Sequence, residues 1–158
     1  MYKPSGIDLT PKQDHFCPVY RMEFIKRNTD YALWSLSYMA GFPKGKVFGL
    51  GVLGQQRRVS SVFLRKIFRK VAKKNIVHSH RGCYGGFSLA RKPSEISIRD
   101  VIEAVQGHMV LNKCLTGHYR CPKERTCGLR KCLGKIQKEL IHQLNQLTLE
   151  NLAVEQKE

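Results

Sequence analysis

The chain has 158 residues, 42% of them hydrophobic, which suits one domain with a buried core. No apolar run approaches the ~18 residues of a membrane span, and the N-terminal segment has no signal-peptide apolar core, so the sequence argues against membrane partners and reads as cytoplasmic. The net charge is +16, and not one Asp or Glu lies between Tyr31 and Ser94, where basic residues run from Lys44 to Lys92. A one-signed stretch of that length repels itself unless it meets a polyanion, which makes nucleic acid the leading partner.

Residues 1–21 hold Pro4, Pro11 and Pro18 and lack periodicity, so a disordered extension is expected there, with Cys17 an exposed thiol. A first helix is predicted from about Thr29 to Ala40, capped by Asn28 or Thr29, with Ala32, Leu33, Leu36 and Met39 as its apolar stripe. Gly41 and Pro43 stop it. A shorter helix follows from Leu50 to Gln56, weakened by its glycines.

Ser60 or Ser61 then caps a helix in which Leu64, Ile67, Phe68 and Val71 recur at helical spacing, while Arg65, Lys66, Arg69, Lys70 and Lys73 lie largely off that stripe. Next, IVHSHRGCYGGFSLA reads as a hairpin, with Ile76 and Val77 in one strand, Gly82, Gly85 and Gly86 in the turn, and Phe87 and Leu89 in the other. Helix, short helix, basic helix, hairpin is the order of a winged helix-turn-helix, whose second motif helix enters the major groove. Ser60, Ser61, Arg65, Lys66 and Arg69 are the residues best placed for that groove. An arginine paired with guanine discriminates by about 1–3 kcal/mol, whereas Arg69 and Lys73 also suit plain phosphate contact.

A further helix is predicted from Ser97 to Val105, ended by Gly107. After a cysteine-rich loop, a last helix starts near Cys127 or Gly128. Its stripe of Leu133, Ile136, Leu140, Leu144 and Leu147 is close to the about 3.5-residue coiled-coil period and calls for a partner, either its own domain or a twin in a homodimer. The expected fold is mainly α: an extension over 1–21, a winged helix-turn-helix DNA-binding domain over 22–107, a cysteine loop over 108–131, a long dimerisation helix over 132–152 and a tail over 153–158.

Four of the six cysteines crowd into KCLTGHYRCPKERTCGLRKC. Thiolates gathered in this way hold a metal or a cluster, or exchange disulfides. Zinc accepts three thiolates plus a nitrogen or oxygen ligand, but the run lacks the C-x2-C knuckle of most zinc sites. If Cys127 and Cys132 share a helix, five residues rotate Cys132 about 140° away from Cys127, which removes it from the set.

The chain from Met22 to about Ala153 resembles the IscR, NsrR and RirA group of bacterial winged-helix regulators, the Rrf-two family. NTDYALWSLSYMA resembles the family's opening helix. SSVFLRKIFRKVAKKNIVHSHRGCYGGFSLARKPSEISIRDVIEAVQG resembles its recognition helix, wing and following helix, and the three cysteines with LTLENLA complete the pattern. The resemblance implies a homodimeric repressor on a double-stranded DNA operator. It further implies an iron–sulfur cluster (4Fe-4S or 2Fe-2S) on Cys114, Cys121 and Cys127 that senses nitric oxide, redox state or iron supply. IscR-like members place a histidine ligand where Arg130 stands here, and arginine cannot serve. NsrR-like members use an aspartate of the first helix from the other subunit, which matches Asp30; His118, within the loop, is a further candidate. IscR-like members carry glutamate at the position of Arg65, which points to a different operator, and the family counterpart of Arg81 enters the minor groove.

Three other readings stand beside this one: a zinc-binding regulator, a cluster-free thiol switch, and a basic nucleic-acid binder without sensing. An enzyme is disfavoured, because the sequence shows no phosphate-binding glycine loop and no nucleophile–base pair.

Overall fold

The computed structural model describes residues 23–119 and 121–153; the expected extension over 1–21, and Cys17 within it, lie outside them. The first helix, α1, runs Arg27–Ala40 and begins earlier than predicted, with Lys26 at the cap and no capping side chain. The reason is tertiary. Thr29 is fully buried, and its hydroxyl donates to Gln106 Oε1 at 2.8 Å instead of capping its own helix. Ala32, Leu36 and Met39 carry α1 into the core.

Helix α2 (Leu50–Arg57) and helix α3 (Ser61–Lys73) are joined by a turn of three residues. Arg58 adopts φ 53° in that turn, and the Val59 N–H donates back to the Gly54 carbonyl at 2.9 Å. A Cβ on Gly54 would lie 2.3 Å from the Val59 carbonyl oxygen, so only glycine permits this approach. Ser60 caps α3 as predicted, its Oγ accepting from the Phe63 N–H at 3.2 Å. Leu64, Ile67, Phe68 and Val71 are buried, and the charged residues between them face outward.

The hairpin pairs β1 (Val77–His80) with β2 (Gly86–Leu89), antiparallel, with Val77 opposite Leu89 and His80 opposite Gly86. Ile76, expected within the first strand, precedes it and is fully buried. The wing is also pinned from outside. Phe48 and Phe87 exchange backbone hydrogen bonds at 2.8 and 3.0 Å, which fastens the α1–α2 connection to β2. Gly86 permits this approach, since a Cβ there would sit 2.3 Å from the Phe48 carbonyl oxygen.

Helix α4 (Ile98–Gln106) starts with a reciprocal Ser97–Asp100 box and buries Ile98, Val101, Ile102 and Val105. Helix α5 (Gly128–Gln146) has no fully buried residue. The long helix expected over 132–152 is instead interrupted. The Ile98 N–H takes the Leu147 carbonyl at 2.8 Å, Thr148 bridges to Ser97, and helix α6 (Leu149–Leu152) restarts with Leu149 fully buried. These cross-chain bonds hold Leu147 and Thr148 in extended geometry, so the chain returns to the core of the DNA-binding domain.

Candidate nucleic-acid interface and thiol loop

The basic face is built on α3 and the wing. Arg65, Lys66 and Arg69 project from α3 as exposed side chains; Ser60 is exposed with its hydroxyl held in the cap, and Ser61 is half-buried. Arg81 opens the turn of the hairpin. The fold brings Arg65 and Arg81 to one cleft, lined also by Leu50, Ser79, His80 and Phe87. Among the described residues, none of Arg65, Lys66, Arg69 and Arg81 is ion-paired, unlike Arg91, Arg99 and Arg130. Cations of this kind on α3 and the wing suit phosphate and guanine edges in chemistry. Tyr84 stands at the tip of the wing, 95% exposed. His80 Nε2 lies 2.8 Å from Ser88 Oγ, a bond across the hairpin that ties this histidine to the fold.

One cation of the basic run behaves differently. Lys70 is exposed like its neighbours, but its Nζ is engaged and donates to the Val105 carbonyl at 2.8 Å. Nothing in the spacing of the sequence distinguishes it from its neighbours.

The cysteines of the loop divide by environment. Cys114, Cys121 and Cys127 are half-buried free thiols, whereas Cys132, already set aside on helical geometry, is exposed on α5, as is Cys83 in the wing. Cys114 lies in a short 3₁₀ turn, Lys113–Leu115. Cys121 opens a surface pocket lined by Pro122, Glu124, Arg125 and Thr126. Cys127 is the N-cap of α5, and its Sγ accepts from the Arg130 N–H at 3.5 Å. Arg130 is ion-paired with Glu124, which ties the loop to the first turn of α5.

Asp30 is exposed in the first turn of α1, and His118 is exposed in the loop. Among the described residues, no three Cys, His, Asp or Glu side chains are drawn together as a metal-holding group. In kind and number, three half-buried thiols, one of them at a helix N-terminus, suit an iron–sulfur cluster or a zinc ion, with one position left for a donor from elsewhere.

A helix-turn-helix with a pinned hairpin wing and a basic face without ion pairs among the described residues is the architecture of a winged-helix DNA-binding protein. Residues 25–155 match the family model Rrf2, described as iron-dependent transcriptional regulator, and the chain belongs to that family. The HTH-type transcriptional regulator NsrR of Shouchella clausii (strain KSM-K16) is 28% identical over 127 residues, covering 80% of this chain and 85% of that protein. The solved structure of CymR (YrzC), the global cysteine regulator of B. subtilis, is similar with TM-score 0.68 at 22% identity, covering 82% of this chain and 95% of that one. That of T. potens IscR gives TM-score 0.63 at 20% identity, covering 81% and 84%. Among the described residues, no helix is long and apolar enough to cross a membrane.

Proposed function

We propose that this chain is a dimeric, cytoplasmic repressor whose operator affinity is set by an iron–sulfur cluster held by Cys114, Cys121 and Cys127, with Asp30 of the partner subunit as the fourth ligand. The observation that carries this reading is the separation of the five described cysteines into three half-buried thiols and two exposed ones. The family's description as iron-dependent and its NsrR and IscR relatives support it. A bound cluster supplies a centre that reacts with nitric oxide and oxygen. A carboxylate is a weak ligand beside thiolates, and Asp30, unencumbered on its helix, suits a site that must open. Cys114 and Cys127 stand at the two ends of the loop, so joining or freeing their thiols changes how firmly the loop holds α5 to the remainder of the chain.

The dimer is supported by α5. Leu129, Leu133, Ile136 and Leu140 follow a spacing of four, three and four along it, and Leu129 and Ile136 are 64% and 56% exposed. Ile141 and Leu144 of the same helix pack on its own core, which leaves the first stripe to a second copy.

A cluster-free thiol switch is the second reading, favoured by the absence of a gathered three-ligand group among the described residues. Anaerobic purification with iron, sulfide and zinc analysis separates the two. We expect visible absorbance with stoichiometric iron and sulfide, and the loss of both, together with the cluster-dependent change in operator affinity, in Cys121→Ala. Colourless protein containing zinc, or a Cys121→Ala variant with unaltered cofactor content and DNA binding, overturns the proposal.

A further inference from the structure

The last turn of α4 joins three parts of the molecule. Lys70 Nζ, from α3, donates to the Val105 carbonyl at 2.8 Å. One residue further on, Gln106 Oε1 accepts from the buried Thr29 hydroxyl at 2.8 Å and from the Lys26 N–H at 3.2 Å. Gln106 Nε2 donates to the Phe24 carbonyl at 3.0 Å. Gly107, at φ 90°, then turns the chain toward the loop that bears Cys114. Helix α4 has no basic residue in its last turn. Its carbonyl end carries partial negative charge, and the cation that answers it comes from α3 instead. A lysine that left this post for a DNA phosphate would strip the Val105 carbonyl, on a residue only 4% exposed, of its side-chain partner.

We propose that Lys70 is a positioning residue for DNA binding and not a phosphate contact. It fixes α3 against the end of α4, while Gln106 fixes the start of α1 to the same turn. The recognition helix, the first helix and the cysteine loop therefore meet at one junction. This inference rests on the DNA binding of the family, not on which group the thiols hold.

The two roles differ in their salt dependence. Losing a phosphate contact weakens all sequences alike and lowers the slope of log affinity against log salt by about 0.9. Losing a positioning residue leaves the slope in place and damages the contacts that require alignment. Operator DNA selected in vitro from random duplex, and a random duplex of equal length, would be titrated at about 50 to 200 mM salt. For Lys70→Met, which keeps the aliphatic stem and loses the donor, we expect an unchanged slope and a roughly tenfold fall in the ratio of operator to non-specific affinity. Lys70→Arg, which retains a donor, restores that ratio. Gln106→Ala lowers the same ratio, again with the slope unchanged, and provides the test if Lys70→Met does not fold. A slope reduced by about 0.9 in Lys70→Met overturns the proposal, and so does an unchanged ratio in Lys70→Met or, where that variant does not fold, in Gln106→Ala.

Discussion

Arg65 and Arg81 reach one cleft from different elements, and neither is ion-paired among the described residues. Cations without a protein partner are free to read bases or bind phosphate. Arg65 is exposed on α3, and a guanidinium can donate a pair of hydrogen bonds to guanine. Arg65→Ala is expected to relax preference at one operator position by about 1–3 kcal/mol, while sites with other bases there are bound nearly as before. Selection from random duplex with the parent and the variant checks this. Lys70 shows where reading single residues fails. In sequence it is one more lysine in a basic run, and only the carbonyl end of α4 brought beside it separates it from Lys66. Thr29 is the same case. Its hydroxyl is a good helix cap on local grounds, yet its partner Gln106 lies 77 residues away and leaves no local trace.

At the scale of elements, what could be read locally is what local chemistry decides. The stripe of α3 and its cap at Ser60, one of the two serines expected there, are formed within a few residues and are displayed by the sequence; the Ser97–Asp100 box is equally local but went unread. The α2–α3 turn belongs to this group in part. Its glycine reads as a weakness of the helix, whereas in the fold it is the condition for the tight motif. In Gly54→Ala the added methyl meets the backbone oxygen of Val59, which has no flexible side chain to yield. Opening the turn is expected to destabilise the protein by about 1–3 kcal/mol and to weaken operator binding, since α3 is re-aimed. Urea unfolding and binding isotherms measure the two effects. The pinning of the wing by Phe48 and the interruption at Leu147 were not legible. Each depends on hydrogen bonds to strand or turn residues distant along the chain, which periodicity does not record.

For the whole molecule, the two faces of α5 meet different surroundings, and the proposed dimer would use the outer one. Ile141 and Leu144 bind the helix to its own subunit, whereas Leu129 and Ile136 face outward. Ile136→Glu is expected to yield folded monomers, because a side chain that is 56% exposed contributes little to the subunit's core. Sedimentation velocity reads the change. Operator affinity is expected to fall with it, because two half-sites are then no longer engaged by one particle. The crowding of the thiols was legible in the sequence, and helical rotation set Cys132 apart there; the fold adds that Cys114, Cys121 and Cys127 are half-buried while Cys132 is exposed. The closure of the site was not legible, because the remaining donor is sought outside the loop.

The return of the chain at Leu147–Leu149 bears on how the protein tolerates damage. Leu149 sits in the same core as the buried faces of α1 and α4, so the segment after α5 helps hold the DNA-binding domain together. The DNA-binding domain and α5 share that core and are expected to unfold together. A lesion in either one draws on a common reserve of stability. In the cell, a lesion in that shared core is felt as less regulator altogether, unlike a surface change such as Ile136→Glu.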